Sequence, residues 1–362
     1  MTAHGCANCA GVAPDHDVID LRSDVVTTPT EAMWEAMRRA ATRAQPFGDD
    51  PSIGELVEVG ASLLGKEAAL YVPTCSMANL LALMATTEPG DQVVLESTMH
   101  IVWSEGWSLA HPGGLFPRLL NGIRGVPTPQ DVADAIAAPR FGRTPRTSLV
   151  CLENSHNNAG GTVLTQTQTM AIVEVARRHG AAVHLDGARI FNAAAALRVS
   201  VSRLAEAVDT VSVSLNKGLS APEGALLCGP RRIIDRARRA AERLGATSLH
   251  KAGIAAAAAL VGLTTMADRL ADDNNRAASL AKRISEIPGL AVDLTAVQTN
   301  IVLIELTGVM TAAAFVARLA EQGVLALMRS PRHARFVTHR LIDDADVARA
   351  AEAAARAAPQ TT

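Results

Sequence analysis

No run in this chain is apolar for long enough to cross a bilayer. The alanine-rich stretch 255–261 falls far short of the roughly 20 residues that a membrane helix needs. The chain opens without a basic segment followed by an apolar one, so no secretory signal is expected. An excess of one charge is missing too. Lys and Arg number 34 against 36 Asp and Glu, and a net charge of −2 gives no pull toward nucleic acid or an anionic membrane. Five cysteines, an odd number in 362 residues, do not make a disulfide framework. They suit a reducing, cytoplasmic setting. No repeat of fixed period is present. What is there is an ordinary soluble composition, 48% hydrophobic and 19% charged, in a chain long enough for one large core and one smaller one.

Residues 1–17 are small, polar and aperiodic, and read as a loose arm. Cys6 and Cys9 form a CxxC with His4 and His16 nearby. Zinc needs four ligands in a defined cage, which two cysteines in such an arm do not supply, so no metal is expected.

Beyond residue 18, apolar runs of strand length alternate with helical patterns. Strands are expected over 68–72, 92–96, 148–153, 181–185, 210–215 and 224–228, each nearly continuous in apolar residues as strands covered on both faces should be. Helical patterns over 166–178 and 201–208 lie between them. This alternation predicts a three-layer α/β fold, a mostly parallel sheet with helices on both faces. A basic helix over 231–244 follows, then one long alanine-rich helical run over 251–287. The remainder reads as strands 290–294, 301–306, 325–328 and 336–338 with helices 311–322 and 344–357. The expected division is a large domain over 18–252 and a smaller C-terminal α/β domain over 253–362.

Open parallel sheets bind ligands beyond the carboxyl ends of their strands. The residues placed there are Thr74, Cys75 and Ser76, then His100, then His156, then Asp186 and Arg189, then Asn216 and Lys217. Such a gathering of polar and ionisable groups at one edge points to a site. Thr74-Cys75-Ser76 opens a helix, where free N–H groups suit a phosphate, although Ser76 also reads simply as a helix N-cap. Cys75 there could be a thiol activated by the helix start. A lysine at a buried sheet edge is costly unless it reacts, and a Schiff base with a carbonyl cofactor would explain Lys217. Asp186 would then keep a pyridine nitrogen protonated. The other reading is a structural Asp186–Arg189 pair beside an exposed lysine. His100 could stack on a planar cofactor or be an ordinary core histidine. His156, in a loop of small and polar residues, could be a general base near neutral pH. Arg189 and Arg335 could clamp a carboxylate through paired hydrogen bonds.

Together these segments resemble the threonine aldolase branch of the β-eliminating lyase family, enzymes of pyridoxal-phosphate fold type I. The matching pieces are "DLRSDVVT" (20–27), "FGDDPS" (47–52), "GKEAALYVPT" (65–74), "ENSHNNAGGTVL" (153–164), "HLDGARIFNA" (184–193), "NKGL" (216–219), "TNIVLI" (299–304) and "RFVTH" (335–339). They come in the family's order and span nearly the whole chain after residue 18. The resemblance implies that Lys217 holds pyridoxal 5′-phosphate, that Asp186 pairs its ring nitrogen and that His100 stacks on the ring. It puts His156 near the substrate β-hydroxyl, and Ser23, Arg189 and Arg335 on the substrate carboxylate. Ser76 and nearby backbone would hold the phosphate. It also implies a homotetramer, a dimer of dimers with active sites shared between subunits.

Four positions, in three places, depart from the pattern. Cys75 and Asn216 stand where the family has glycine and serine. Phe47 replaces a tyrosine on the substrate-side wall. His250, in "GATSLHKAG" (245–253), takes the place of an arginine. The reaction implied is retro-aldol cleavage of an L-β-hydroxy-α-amino acid, such as threonine or allo-threonine, to glycine and an aldehyde. The departures leave open β-elimination or β-substitution on a specialised amino acid. A non-catalytic binding protein on the same fold is the reading from another class, and retention of Lys217, Asp186 and Arg189 stands against it.

Overall fold

A computed structural model describes residues 18–41, 50–137, 145–247 and 249–358. The N-terminal arm with its CxxC, and Phe47, lie outside the described residues. The strands are β1 (Ile19–Asp20), β2 (Ala68–Val72), β3 (Gln92–Glu96), β4 (Phe116–Leu120), β5 (Thr147–Glu153), β6 (Ala182–Asp186), β7 (Thr210–Ser214) and β8 (Ala225–Gly229). After them come β9 (Leu290–Ala291), β10 (Ile301–Leu306), β11 (Val324–Leu325), β12 (Leu327–Ser330) and β13 (His333–Val337).

Strands β2 to β8 form one seven-stranded sheet in the order β2-β8-β7-β6-β5-β3-β4. It is parallel throughout except at β8, which runs antiparallel to both its neighbours. The central strands are buried along their whole length, as their continuous apolar runs required. β4 escaped the sequence reading for the opposite reason. It is an edge strand whose Phe116, Pro117, Arg118 and Leu119 are exposed, so no burial pattern marks it. A second sheet, β12-β13-β10-β9, is antiparallel, and β1 pairs with β11 in a separate parallel ladder.

The long helical run expected over 251–287 is two helices, Gly253–Thr265 and Leu270–Ser285, bent by 72° to one another. The break serves two cores. Ala256, Ala259 and Leu263 pack into the large one, whereas Ala277, Leu280 and Ile284 pack into the small one. Ile19 and Leu21 also join the small core. We therefore propose that the units divide near residues 270–277, with the chain's first described strand belonging to the C-terminal unit. The strand expected over 325–328 is likewise split, β11 serving β1 and β12 serving β13. Among the described residues no single helix is long and apolar enough to cross a membrane.

Helix starts follow local chemistry. Thr165 and Gln168 form a capping box before Gln166–Arg178, and Asp343 with Asp346 does the same before Asp344–Ala357. At Cys75–Thr86 the cap is Thr74, whose hydroxyl accepts from the Met77 N–H at 3.0 Å. Ser76 is therefore free of the capping role that one sequence reading assigned to it.

Candidate active site

Strands β3, β5 and β6 each end on a carboxylate at the same edge of the sheet: Glu96, Glu153 and Asp186. The register places Glu153 beside Asp186. Over that edge opens a cleft of about 290 Å³ whose lining includes Ser23, Cys75, Ser76, His100, Asp186, Arg189, Asn216, Lys217 and Arg335. Nine positions scattered from residue 23 to residue 335 thus meet in one place.

The floor is a closed hydrogen-bond network. Asn79 donates to Asp186 Oδ2 at 3.0 Å and to Glu105 Oε2 at 3.2 Å. Its carbonyl accepts from Ser212 at 2.7 Å and faces His184 Nε2 at 3.1 Å. The Asn79 carbonyl oxygen cannot donate, so His184 must carry its proton on Nε2 and accept from Thr210 through Nδ1 at 2.9 Å. Burial pushes the His184 pKa down to about 4, consistent with that neutral tautomer. The second Asp186 oxygen accepts from the Ala188 N–H at 3.1 Å.

His100 begins a short helix, and its backbone N–H is pinned by Glu153 Oε2 at 2.7 Å. Its Nε2 lies 3.4 Å from Glu105, and its Nδ1 is buried without a partner. Burial, and then Lys217 and Arg189 against the pull of Asp186, lowers His100 to about 4. Burial, and then the charge of Asp186, raises Glu105 to about 7. Glu105 and Glu153 were not singled out in the sequence. The only signal for either was a carboxylate ending, or lying shortly after, a buried strand.

The opposite wall is cationic. Arg189 is held by both oxygens of Asp24 at 2.7 Å, a fully buried pair. Despite burial, Arg189 draws the Asp24 pKa far below the ordinary carboxylate range. Asp24 sits beside Ser23 in "DLRSDVVT" and was passed over; its place in that motif was the available signal. Arg335 donates only to neutral oxygens, Asn157 Oδ1 at 2.8 Å and the Arg22 carbonyl at 3.0 Å, and its Nε has no partner. Burial, then Arg189 and Arg329, lowers Arg335 to about 9, which leaves it charged at neutral pH. Lys217 is half-buried between floor and wall, with no ion pair to its amino group among the described residues.

The family model for Beta-eliminating lyase matches residues 20–307. The chain belongs to that family. It is 38% identical over 335 residues to low-specificity L-threonine aldolase 1 of Arabidopsis thaliana, covering 91% of this chain and 93% of that one. It is 35% identical over 322 residues to the low specificity L-threonine aldolase of Escherichia coli (strain K12), covering 89% and 94%. Among solved structures, the Leishmania major threonine aldolase matches with a TM-score of 0.80 at 18% identity, covering 93% of this chain and 99% of that one. The fold is that of the fold-type-I pyridoxal-phosphate enzymes.

The cleft of this β-eliminating lyase family member fits pyridoxal 5′-phosphate. It offers an unpaired lysine, a buried carboxylate fixed from behind, and the N–H groups that open helix Cys75–Thr86 beside the Thr74 cap. Two buried polar atoms, His100 Nδ1 and Arg335 Nε, are left without partners among the described residues.

Two sequence-selected residues stand differently from their expected roles. His156 does not line the cleft. It is 1% exposed, its Nε2 donates to Glu96 at 3.2 Å, and its Nδ1 accepts from the Ala159 N–H at 3.2 Å. Gly125 abuts its ring so closely that a β-carbon there would collide with it. Burial alone would lower the His156 pKa, but Glu153 and Glu96 override it and leave it raised. Cys75 does line the cleft, yet burial, and then Asp186, pushes its thiol up to about 12, the reverse of an activated nucleophile. Its Sγ faces Ser212 at 3.6 Å. His250 is exposed and outside the cleft lining.

Proposed function

We propose that this protein is a pyridoxal-phosphate-dependent aldolase that cleaves an L-β-hydroxy-α-amino acid such as threonine to glycine and an aldehyde. The observation that carries the reading is the meeting of Lys217, Asp186, Arg335 and a neutral His100 in one cleft. The curated relatives at 38% and 35% identity, whose names state that activity, support it.

Bound pyridoxal 5′-phosphate supplies the electron sink for the pair released when the Cα–Cβ bond breaks. Lys217 would hold it, and Asp186, fixed by Asn79 and the Ala188 N–H, would keep its ring nitrogen protonated. Arg335 takes the substrate carboxylate and so sets the breaking bond. Arg189 is committed to Asp24 and acts by holding Asn157 and the wall in place. Ser23 and Ser76 flank the substrate and phosphate sides, with Cys75 and Asn216 beside the latter. His100 is the base for the β-hydroxyl. Glu105 can hold its Nε2–H, which leaves Nδ1 free to accept the proton. His156, locked onto Glu96, positions the loop after β5. The same reading carries a homotetramer, for which the exposed Trp103 and Trp107 are available surface.

Two measurements test this. Incubation with L-threonine, L-allo-threonine, phenylserine and serine should yield glycine plus aldehyde. Ammonia plus keto acid instead would mean an eliminating enzyme. Borohydride reduction followed by peptide mapping should place the pyridoxyl label on Lys217. A label on another lysine, retained in Lys217→Ala, would defeat the assignment.

A further inference from the structure

A third guanidinium stands in the cleft. Arg329, on β12, is half-buried and bonds the side-chain carbonyl of Asn158. No carboxylate lies within ion-pair distance of it among the described residues, whereas Arg189 is matched by Asp24 at 2.7 Å. Burial, and then the charge of Arg189, lowers its pKa against a weaker pull from Glu153, which is too far away to form an ion pair. The cleft therefore holds two unmatched guanidiniums, Arg335 and Arg329. One α-carboxylate balances one of them. A cofactor phosphate would sit at the start of helix Cys75–Thr86, and among the described residues no hydrogen bond joins Arg329 to that turn.

Arg329 is also a boundary. A second hollow of about 400 Å³ lies beyond the cleft, lined by Thr98, Trp103, Leu303 and His333, and Arg329 is the residue common to both linings. The Asn158 side chain that it bonds reaches on to the Thr98 carbonyl at 2.7 Å, on the rim of that hollow. With the α-carboxylate on Arg335, Arg329 is the remaining unmatched cation in the cleft lining for a substituent on the β-carbon. A guanidinium matches a planar carboxylate through two parallel hydrogen bonds.

We propose that Arg329 is a specificity-determining residue that binds a carboxylate on the β-substituent, so that β-hydroxy amino diacids are substrates. The proposal rests on the aldolase reading and names its substrate class. For 3-hydroxyaspartate the Cα–Cβ bond breaks, the β-hydroxyl loses its proton, and Cα gains one. The products are glycine and glyoxylate, with no oxidant or second substrate needed.

The test compares 3-hydroxyaspartate with threonine in the holoenzyme and in Arg329→Gln. The wild type should release glycine and glyoxylate with kcat/KM at least equal to that for threonine. In Arg329→Gln the ratio of the two kcat/KM values should fall by about 10- to 100-fold, the loss of one charge-assisted pair. An unchanged ratio, whatever the absolute rates, overturns the proposal. So does a wild type that cleaves threonine and not the diacid. A second arm needs no turnover and no variant. L-Aspartate has no β-hydroxyl to lose, and calorimetry on the holoenzyme should find it bound at least about 10-fold more tightly than L-2-aminobutyrate. Equal affinities sink the idea. Failure to cleave any β-hydroxy amino acid would defeat the aldolase reading, and this binding comparison would still decide the role of Arg329.

Discussion

Beneath the cleft, the groups around Asp186 satisfy one another. Asn79 uses both its amide and its carbonyl, His184 uses both ring nitrogens, and both Asp186 oxygens accept. On the facing wall the same care is not taken. Among the described residues, Arg335 keeps a buried N–H without a partner, and no carboxylate pairs with Arg329. The difference separates two tasks. The floor fixes one carboxylate in one orientation, and buried polar networks do this when every member is satisfied. The wall leaves donors open for an incoming acceptor, and an anion suits them best. Preorganisation lies on one side of the cleft and ligand demand on the other.

The largest expected effect breaks the wall where it is complete. Asp24→Asn strips the buried Arg189 of its counter-charge, and losing one partner of such a pair costs about 3–5 kcal/mol. Denaturant unfolding near neutral pH should show that loss. The gap between the proteins should close at low pH. Asp24 has a lowered folded pKa, so its stabilising contribution is present above the unfolded carboxylate pKa and is lost as pH falls. A gap that persists undiminished in acid would mean that Asp24 acts through packing.

Arg335→Ala removes the wall residue proposed to take the substrate carboxylate. Losing a charge-assisted bond of about 1.5–3 kcal/mol should lower kcat/KM by roughly 10- to 100-fold with the cofactor spectrum retained. An unaltered kcat/KM would take Arg335 out of the site.

Glu105→Gln sharpens the account of the floor. Burial, and then Asp186, raises Glu105 to about 7, so the folded chain keeps a proton that the unfolded chain has released between about pH 4.5 and 7. Wild-type stability should therefore decline across that window, by at most about 3 kcal/mol, and the variant should lack the decline. Melting curves from pH 5 to pH 8.5 check this. Parallel pH profiles for the two proteins would show that Glu105 is not the group titrating.

The smallest effect concerns a ratio. His156→Phe should depress aldehyde release and glycine α-deuterium exchange together, leaving their ratio within about threefold, because a residue bonded to Glu96 and Ala159 positions both reactions alike. A selective loss of aldehyde release would restore His156 as the hydroxyl base in place of His100.

Much of this was legible beforehand. The central strands were visible because burial on both faces leaves a continuous apolar run. Helix 344–357 was visible because Asp343 and alanine-rich periodicity mark its start and course. The edge strand β4 and the break between Gly253–Thr265 and Leu270–Ser285 were not, since neither exposure nor a change of packing partner leaves a local trace. At the site, Lys217, Asp186, Ser76, His100, Arg189 and Arg335 were found as residues that follow strands or match the family's motifs, and all of them line the cleft. His156 met the same criterion and lies behind it. Position after a strand says which edge a residue reaches, and the fold of the next few residues says which way it faces.

The order of strands and helices, the edge at which ligands bind and the residue types gathered there were all determined by the sequence, through local patterning and the rule that parallel strands present their carboxyl ends together. Which donors are satisfied was decided only in three dimensions. Asp24 and Arg189 stand 165 residues apart and Asn79 and Asp186 107 apart, so no spacing could have paired them. The tertiary structure raised the pKa of one thiol, buried one histidine behind the cleft and left one carboxyl group titratable near neutrality. It did so because burial and neighbouring charge set protonation, and both are properties of the packed chain rather than of any segment of it.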